Sequence, residues 1–150
     1  MKKMILFILG IIAILGIVAI VENNYIFSFG DKERLDKGWN AYESKDYGFA
    51  ISQFSTVDHN KHPEVILPLA DSYLEINEVY NAIKYLEPAY SSKSNHKDLS
   101  KITNMLGIAY IRNKDYKKAR VMLLESERLG NENSKENLQI LDSLEQAQKK

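Results

Sequence analysis

Cysteine is absent from the chain. That excludes disulfides, thiolate metal sites and thiol nucleophiles, and it fits either redox compartment. An excess of one charge is absent as well: 20 Lys and Arg stand against 20 Asp and Glu in 150 residues. A protein held to nucleic acid by phosphate contacts needs a basic surface, so that class is set aside. The signatures of catalysis are missing too. There is no G-x-S-x-G, no H-E-x-x-H and no glycine loop to cradle a phosphate. Histidine is scarce, with only His59, His62 and His96. The pair in "DHNKHPE" lies near Asp58 and Glu64 beside Pro63, but a metal site needs three or four converging ligands and a supporting shell. It reads as a solvated loop. Carboxylate pairs such as Glu125 and Glu127 show no convergence. The expectation is a protein that is not an enzyme, with no cofactor and no metal.

What the chain does have is a long apolar run at its start. In "MKKMILFILGIIAILGIVAIVENN" two lysines precede 18 uncharged residues, Met4 to Val21. As a helix this run is about 27 Å long, enough to cross the hydrocarbon core. It is apolar on every face, unlike a buried helix of a globular domain. Residues 1–21 are therefore expected to be a transmembrane signal anchor. A cleaved signal peptide is the competing reading, though the run is long for one and "IVAIVENN" has no clean A-x-A site. Lys2 and Lys3 hold the N-terminus in the cytoplasm by the positive-inside rule, which places the rest outside it. Lys32 and Arg34 oppose this but are interspersed with Asp31 and Glu33. In the linker, residues 22–30, Tyr25, Phe27 and Phe29 alternate. They suit either a belt at the lipid headgroups or packing on the first helix of the domain. Gly10, Ala13, Gly16 and Ala19 drift around the anchor helix, so pairing of copies through it has little support.

Beyond residue 30 one template recurs. Gly38 lies 12 residues before Ala50, Ala70 lies 12 before Ala82, and Gly107 lies 12 before Ala119. Four residues after each alanine come Phe54, Leu86 and Leu123. Tyr47, Val79 and Tyr116 precede the alanines by three. Tyr42, Tyr73 and Tyr110 follow the first small residue by four, three and three. This template resembles the tetratricopeptide repeat, a pair of antiparallel helices in about 34 residues. The likeness spans about residues 32–131 and is fullest in "LGIAYIRNKDYKKARVML". Arg34 and Lys37 depart from it, as does Ser126 where the second repeat has Ala89.

The resemblance implies an all-α, tetratricopeptide-like solenoid over residues 31–150: three helix-pair repeats (32–62, 63–97 and 98–131) plus a C-terminal capping helix. Gly38, Ala70 and Gly107 let each first (A) helix approach its B helix, with Ala50, Ala82 and Ala119 as the facing contacts. Phe54, Tyr73, Leu86, Tyr110 and Leu123 fill the space to the next helix. A lone hairpin cannot bury its apolar face, so neighbours must stack. The helices expected are 32–44, 46–59, 63–76, 78–91, 98–113 and 115–129. Asp31 is expected to cap the first, after a break at Gly30. Pro63 suits the start of the third, and Pro88 should bend or shorten the fourth. "SSKSNHKD" reads as an enlarged loop. In "NSKENLQILDSLEQAQKK" a capping box of Asn133 and Glu136 is expected to open the last helix, about 133–148, with Leu138, Leu141 and Leu144 on one face.

By the same resemblance the concave face is lined by the A helices and takes a protein or peptide partner. Leu35, Trp39, Tyr42 and Glu43 would face it from the first repeat. Leu67, Asp71, Leu74 and Glu75 follow from the second, and Asn104, Ile108, Ile111 and Arg112 from the third. Trp39 stands where core packing does not require it, and exposed aromatics of this kind anchor partners. The groove could instead be filled by the 22–30 linker. The co-chaperone variant of the family holds a terminal carboxylate with Lys and Asn. Here Leu35, Trp39, Asp71, Asn104 and Ile108 stand at those positions, so that clamp is not expected. The function expected is a membrane-anchored scaffold or adaptor. A structural subunit of an envelope assembly, self-association included, and an inhibitor of immunity type are the alternatives.

Overall fold

The computed structural model describes residues 30–92 and 98–148. The anchor, nearly all of the linker and most of the enlarged loop lie outside the described residues. Among the described residues no helix is long and apolar enough to cross a membrane.

The described chain is all helical: α1 over residues 30–43, α2 Tyr47–Phe54, α3 Ile66–Glu75, α4 Val79–Ser92, α5 Leu99–Arg112, α6 Tyr116–Arg128 and α7 Asn133–Gln148. A 3₁₀ turn, Pro63–Val65, leads into α3. Each helix packs on the next, pairing α3 with α4, α5 with α6, and α6 with α7. The core runs through the stack as one cluster that includes Phe54, Leu69, Leu86, Leu106, Leu123 and Leu141, none more than 1% exposed.

The small residues sit at the closest helix approaches. A methyl group on Gly38 would stand 2.5 Å from Phe54 Cε1, and one on Gly107 would stand 2.5 Å from Leu123 Cγ. Only glycine allows those contacts, because real Cβ atoms do not approach so near. Ala50, Ala70, Ala82 and Ala119 are fully buried, as befits a residue that fills a narrow interface with one methyl group.

The turn inside each pair repeats as closely as the helices do. Lys45, Asn77 and Lys114 adopt φ of 63°, 62° and 61°. The next amide reaches back to the last turn of the helix in each case: Asp46 to Ala41 at 2.8 Å, Glu78 to Tyr73 at 2.8 Å, and Asp115 to Tyr110 at 2.9 Å. Lys45, Asn77 and Lys114 themselves donate to Tyr42, Leu74 and Ile111. This is the Schellman ending, which satisfies carbonyls that a finished helix leaves open. Asp46 and Asp115 then cap the following helix by accepting from Phe49 and Lys118. The reversal is thus set by hydrogen bonds, at the expense of a left-handed backbone at three non-glycine residues.

Several local expectations are corrected. Helix α2 ends at Phe54 rather than 59. The Thr56 hydroxyl donates to the Gln53 carbonyl at 2.7 Å and His59 Nε2 lies 2.9 Å from the Phe54 carbonyl, so side chains close the helix early. Helix α4 runs through Pro88 to Ser92 and is not shortened. Gly30 is helical and does not break the chain. Asp31 lies within α1, fully buried, and pairs with Arg34 at 3.1 Å instead of capping. Lys37 pairs with Glu33 at 2.7 Å on the surface, so two departures from the repeat pattern are accommodated by ion pairs. Asn133 and Glu136 form no capping box. Asn131 accepts from the Asn133 amide at 3.1 Å and begins α7. Its amide group and the buried Ser126 hydroxyl both donate to Ser100 O, at 3.1 and 2.6 Å, so the departure at Ser126 ties α6 to the start of α5.

A candidate partner groove

Helices α1, α3 and α5 are the first members of their pairs and bring one face of the stack together. Between them and the start of α7 lies a groove of about 800 Å³. Trp39 and Tyr42 line it from α1, Leu67 and Pro68 from α3, and Asn104, Met105 and Ile108 from α5. Its floor is apolar and its ends are polar. The periodicity explains this: Trp39 and Tyr42, like Met105 and Ile108, are three apart and so share a helix face.

Of the residues assigned to this face from sequence, Trp39, Tyr42, Leu67, Asn104 and Ile108 line the groove. Leu74 does not. It is 3% exposed and belongs to the core. Leu35 and Ile111 are partly buried against that core and do not line the groove. Arg112 donates to the Leu74 carbonyl at 2.6 Å, so its guanidinium serves the open C-terminal end of α3. Asn104 accepts from Asn137 at 2.9 Å and faces the Ser134 hydroxyl at 3.3 Å, which joins α5 to the terminal helix. Glu43 and Glu75 are exposed.

Trp39 requires the main correction. Its ring meets Phe54 edge-on with centroids 5.4 Å apart, and meets Tyr42 at 6.2 Å. One face therefore rests on the core while the ring is still partly open to the groove. Truncation removes packing as well as groove surface. Tyr42 is fixed in turn by donating its hydroxyl to Asp71 at 2.7 Å, a bond that crosses from the first repeat to the second. Burial and the Asp71 carboxylate both disfavour ionisation, and they hold the Tyr42 hydroxyl far above its ordinary range. The ring orientation is thereby pinned.

The repeat-packing set is buried as a group: Gly38, Ala50, Phe54, Ala70, Tyr73, Ala82, Leu86, Gly107, Tyr110, Ala119 and Leu123. Tyr110 donates to Glu87, and Tyr73 stacks on Tyr85 with centroids 5.7 Å apart. Sequence reasoning missed Met105, and the terminal residues Gly130 to Asn133 that close one end of the groove. Met105 could have been found, since it precedes Ile108 by three. The position of α7 had no comparable signal.

A second cavity of about 540 Å³ adjoins the groove, sharing Glu64, Leu67 and Asp98 with it, and is lined by His59, Tyr85, Pro88 and Ile102 among others. His59 is partnered there by the Phe54 carbonyl and by the Tyr85 ring at 5.4 Å. His62 faces Glu64 at 3.1 Å. Among the described residues no three His, Asp or Glu side chains gather as a metal site would require.

No protein-family model and no curated protein matches this chain. Solved structures do match it. One is described as the TPR2AB-domain:pHSP90-complex of yeast Sti1, with a TM-score of 0.66 and 22% identity over 81% of this chain and 49% of that one. Another is described as MamA MSR-1 C2, with a TM-score of 0.61 and 23% identity over 76% of this chain and 67% of that one. At such identities the likeness establishes the fold, and this chain spans about half the length of the Sti1 structure.

Proposed function

We propose that this chain, which has the tetratricopeptide-repeat fold, works as a protein-interaction module and holds a protein or peptide segment in its concave groove. The observation that carries the reading is the groove itself: an apolar floor drawn from three consecutive A helices and formed largely by Trp39, Tyr42, Leu67, Met105 and Ile108. Apolar surface of that kind is costly to leave in water. The Sti1 structure, described as a complex with pHSP90, supports partner binding as a use of this architecture. The proposal has no enzymatic component. The work is recruitment, and the apolar run Met4–Val21 would confine it to a membrane, with the solenoid outside the cytoplasm.

A photo-crosslinking residue placed at Ile108 in the full-length chain should capture a discrete partner in intact cells. The same residue at Lys117, exposed on the second helix of its pair, should not. Equal capture at both positions would refute the groove as the binding surface. A C-terminal reporter active only after export should be active, and activity from a cytoplasm-only reporter would reverse the topology.

A further inference from the structure

The groove combines an apolar floor with carboxylates in its lining. Glu64 precedes α3 and lines the groove. Asp71 and Glu75 lie one turn apart at the end of α3, outside that lining. Glu132 lines the groove from the segment before α7. The charges on this face are unequal although the chain as a whole is balanced. Of the cations, Lys101 in the lining pairs with Asp98 at 3.3 Å, and Arg112, outside it, is bonded to the Leu74 carbonyl. Asp71 receives the Tyr42 hydroxyl but no cation among the described residues. Its charge and that of Glu75 both act on Tyr42 and Tyr47.

We infer that the groove selects a peptide segment in which apolar side chains are flanked by lysine or arginine. The inference rests on the groove reading above and goes beyond it by naming the partner's chemistry. Apolar side chains cover Trp39, Leu67, Met105 and Ile108. The flanking cations meet Glu64 and Glu132 of the lining, and Asp71, which holds the lining Tyr42. Charge complementarity of this kind chiefly sets partner choice and association rate. An acidic segment would place carboxylate against carboxylate and is rejected for that reason.

Trp39 is the only tryptophan in the chain and lines the groove, so its fluorescence reports occupancy directly. The probes are three synthetic peptides without tryptophan, built on one leucine- and phenylalanine-containing centre. Lysine flanks the centre in the first, glutamine in the second and glutamate in the third. Titrated into the full-length chain, the lysine peptide should shift Trp39 emission and bind about tenfold more tightly than the glutamate peptide. That ratio corresponds to a few exposed charge contacts of modest strength each. The preference should shrink as salt is raised. A Glu64→Gln, Glu132→Gln variant, verified as folded by circular dichroism, should narrow the spread of the three affinities. If the three peptides bind the unaltered chain equally, the charge selection is wrong while the groove reading stands. If none perturbs Trp39, both fail.

Discussion

In the first repeat the glycine of α1 faces Phe54 of α2, and in the third the glycine of α5 faces Leu123 of α6. Both pairs turn through a left-handed lysine, and in both an aspartate caps the second helix. Yet α2 has 8 residues and α6 has 13. The shared template sets the helix contact and the turn, while the residues beyond the template set how far the second helix continues. After Phe54, Thr56 and His59 take up backbone carbonyls and end α2. After Leu123, the chain goes on to Ser126, whose hydroxyl fastens the helix to Ser100. The third repeat is also covered by α7, where Arg120 of α6 reaches Asp142 at 2.6 Å and Glu145 at 2.8 Å. That cluster is exposed enough that its contribution is small.

Breaking the shared contact should have the largest effect. Phe54 and Leu123 are both completely buried. Phe54→Ala should destabilise by about 3–5 kcal/mol and Leu123→Ala by about 2–5 kcal/mol, from lost burial plus the cavity left behind. Denaturant unfolding of the full-length chain measures both. If Phe54→Ala proves nearly neutral, the first repeat is an appendage and its equivalence to the third is lost.

Next come the glycines. Gly107→Ala should cost about 1–2 kcal/mol. The added methyl overlaps Leu123, and overpacking outweighs the gain of about 0.5–1 kcal/mol from replacing a helical glycine. Gly38→Ala should cost at least as much, because the atoms it meets belong to the rigid Phe54 ring. A rise in melting temperature for either variant would show that the helices separate easily.

Alkaline pH compares the tyrosines across repeats. Burial, reinforced by the stacked Tyr85, pushes Tyr73 up to about 12. Burial, with the carboxylates Asp71 and Glu87, raises Tyr42 and Tyr110 as well. Folded pKa values above the unfolded value of about 10 mean that the neutral hydroxyl is favoured in the native state. The stability this provides is fully present below pH of about 10 and is lost as pH climbs through the folded values. Unfolding followed across that range should show the loss, and Tyr42→Phe should flatten it. An unchanged slope in Tyr42→Phe would assign the alkaline loss to the other two repeats.

The smallest effect should come from the turns. Lys45→Gly and Lys114→Gly relieve a left-handed backbone and should each stabilise by about 0.5–1 kcal/mol, after allowing for glycine's greater freedom when unfolded. Asn77→Gly should gain less, because asparagine tolerates that conformation. Unequal gains for the two lysines would reveal strain that their matching φ values conceal.

The spacing of Gly38, Ala50 and Phe54, and its two recurrences, was enough to define an all-α stack and to pick out the side chains at its interfaces. A recurring line of small and large residues encodes a recurring contact, and that information is local to each hairpin. The same spacing pointed to Trp39, Tyr42, Leu67 and Ile108 as neighbours on one face, since helical periodicity puts them there. It failed at Leu74, assigned to the groove by position and found in the core, because burial depends on how the adjacent pair leans against α3. It failed likewise at Trp39, whose contact with Phe54 needs two helices to be placed before it can be seen. The bonds of Arg112 at the end of α3 and of Asn104 against α7 join residues 38 and 33 positions apart in the chain. Which helices form, and which residues lie between paired helices, was determined by the sequence through periodicity and side-chain size. Which of the remaining side chains stay open to a partner was decided only by the tertiary stacking, because exposure belongs to the assembled surface and not to any single helix.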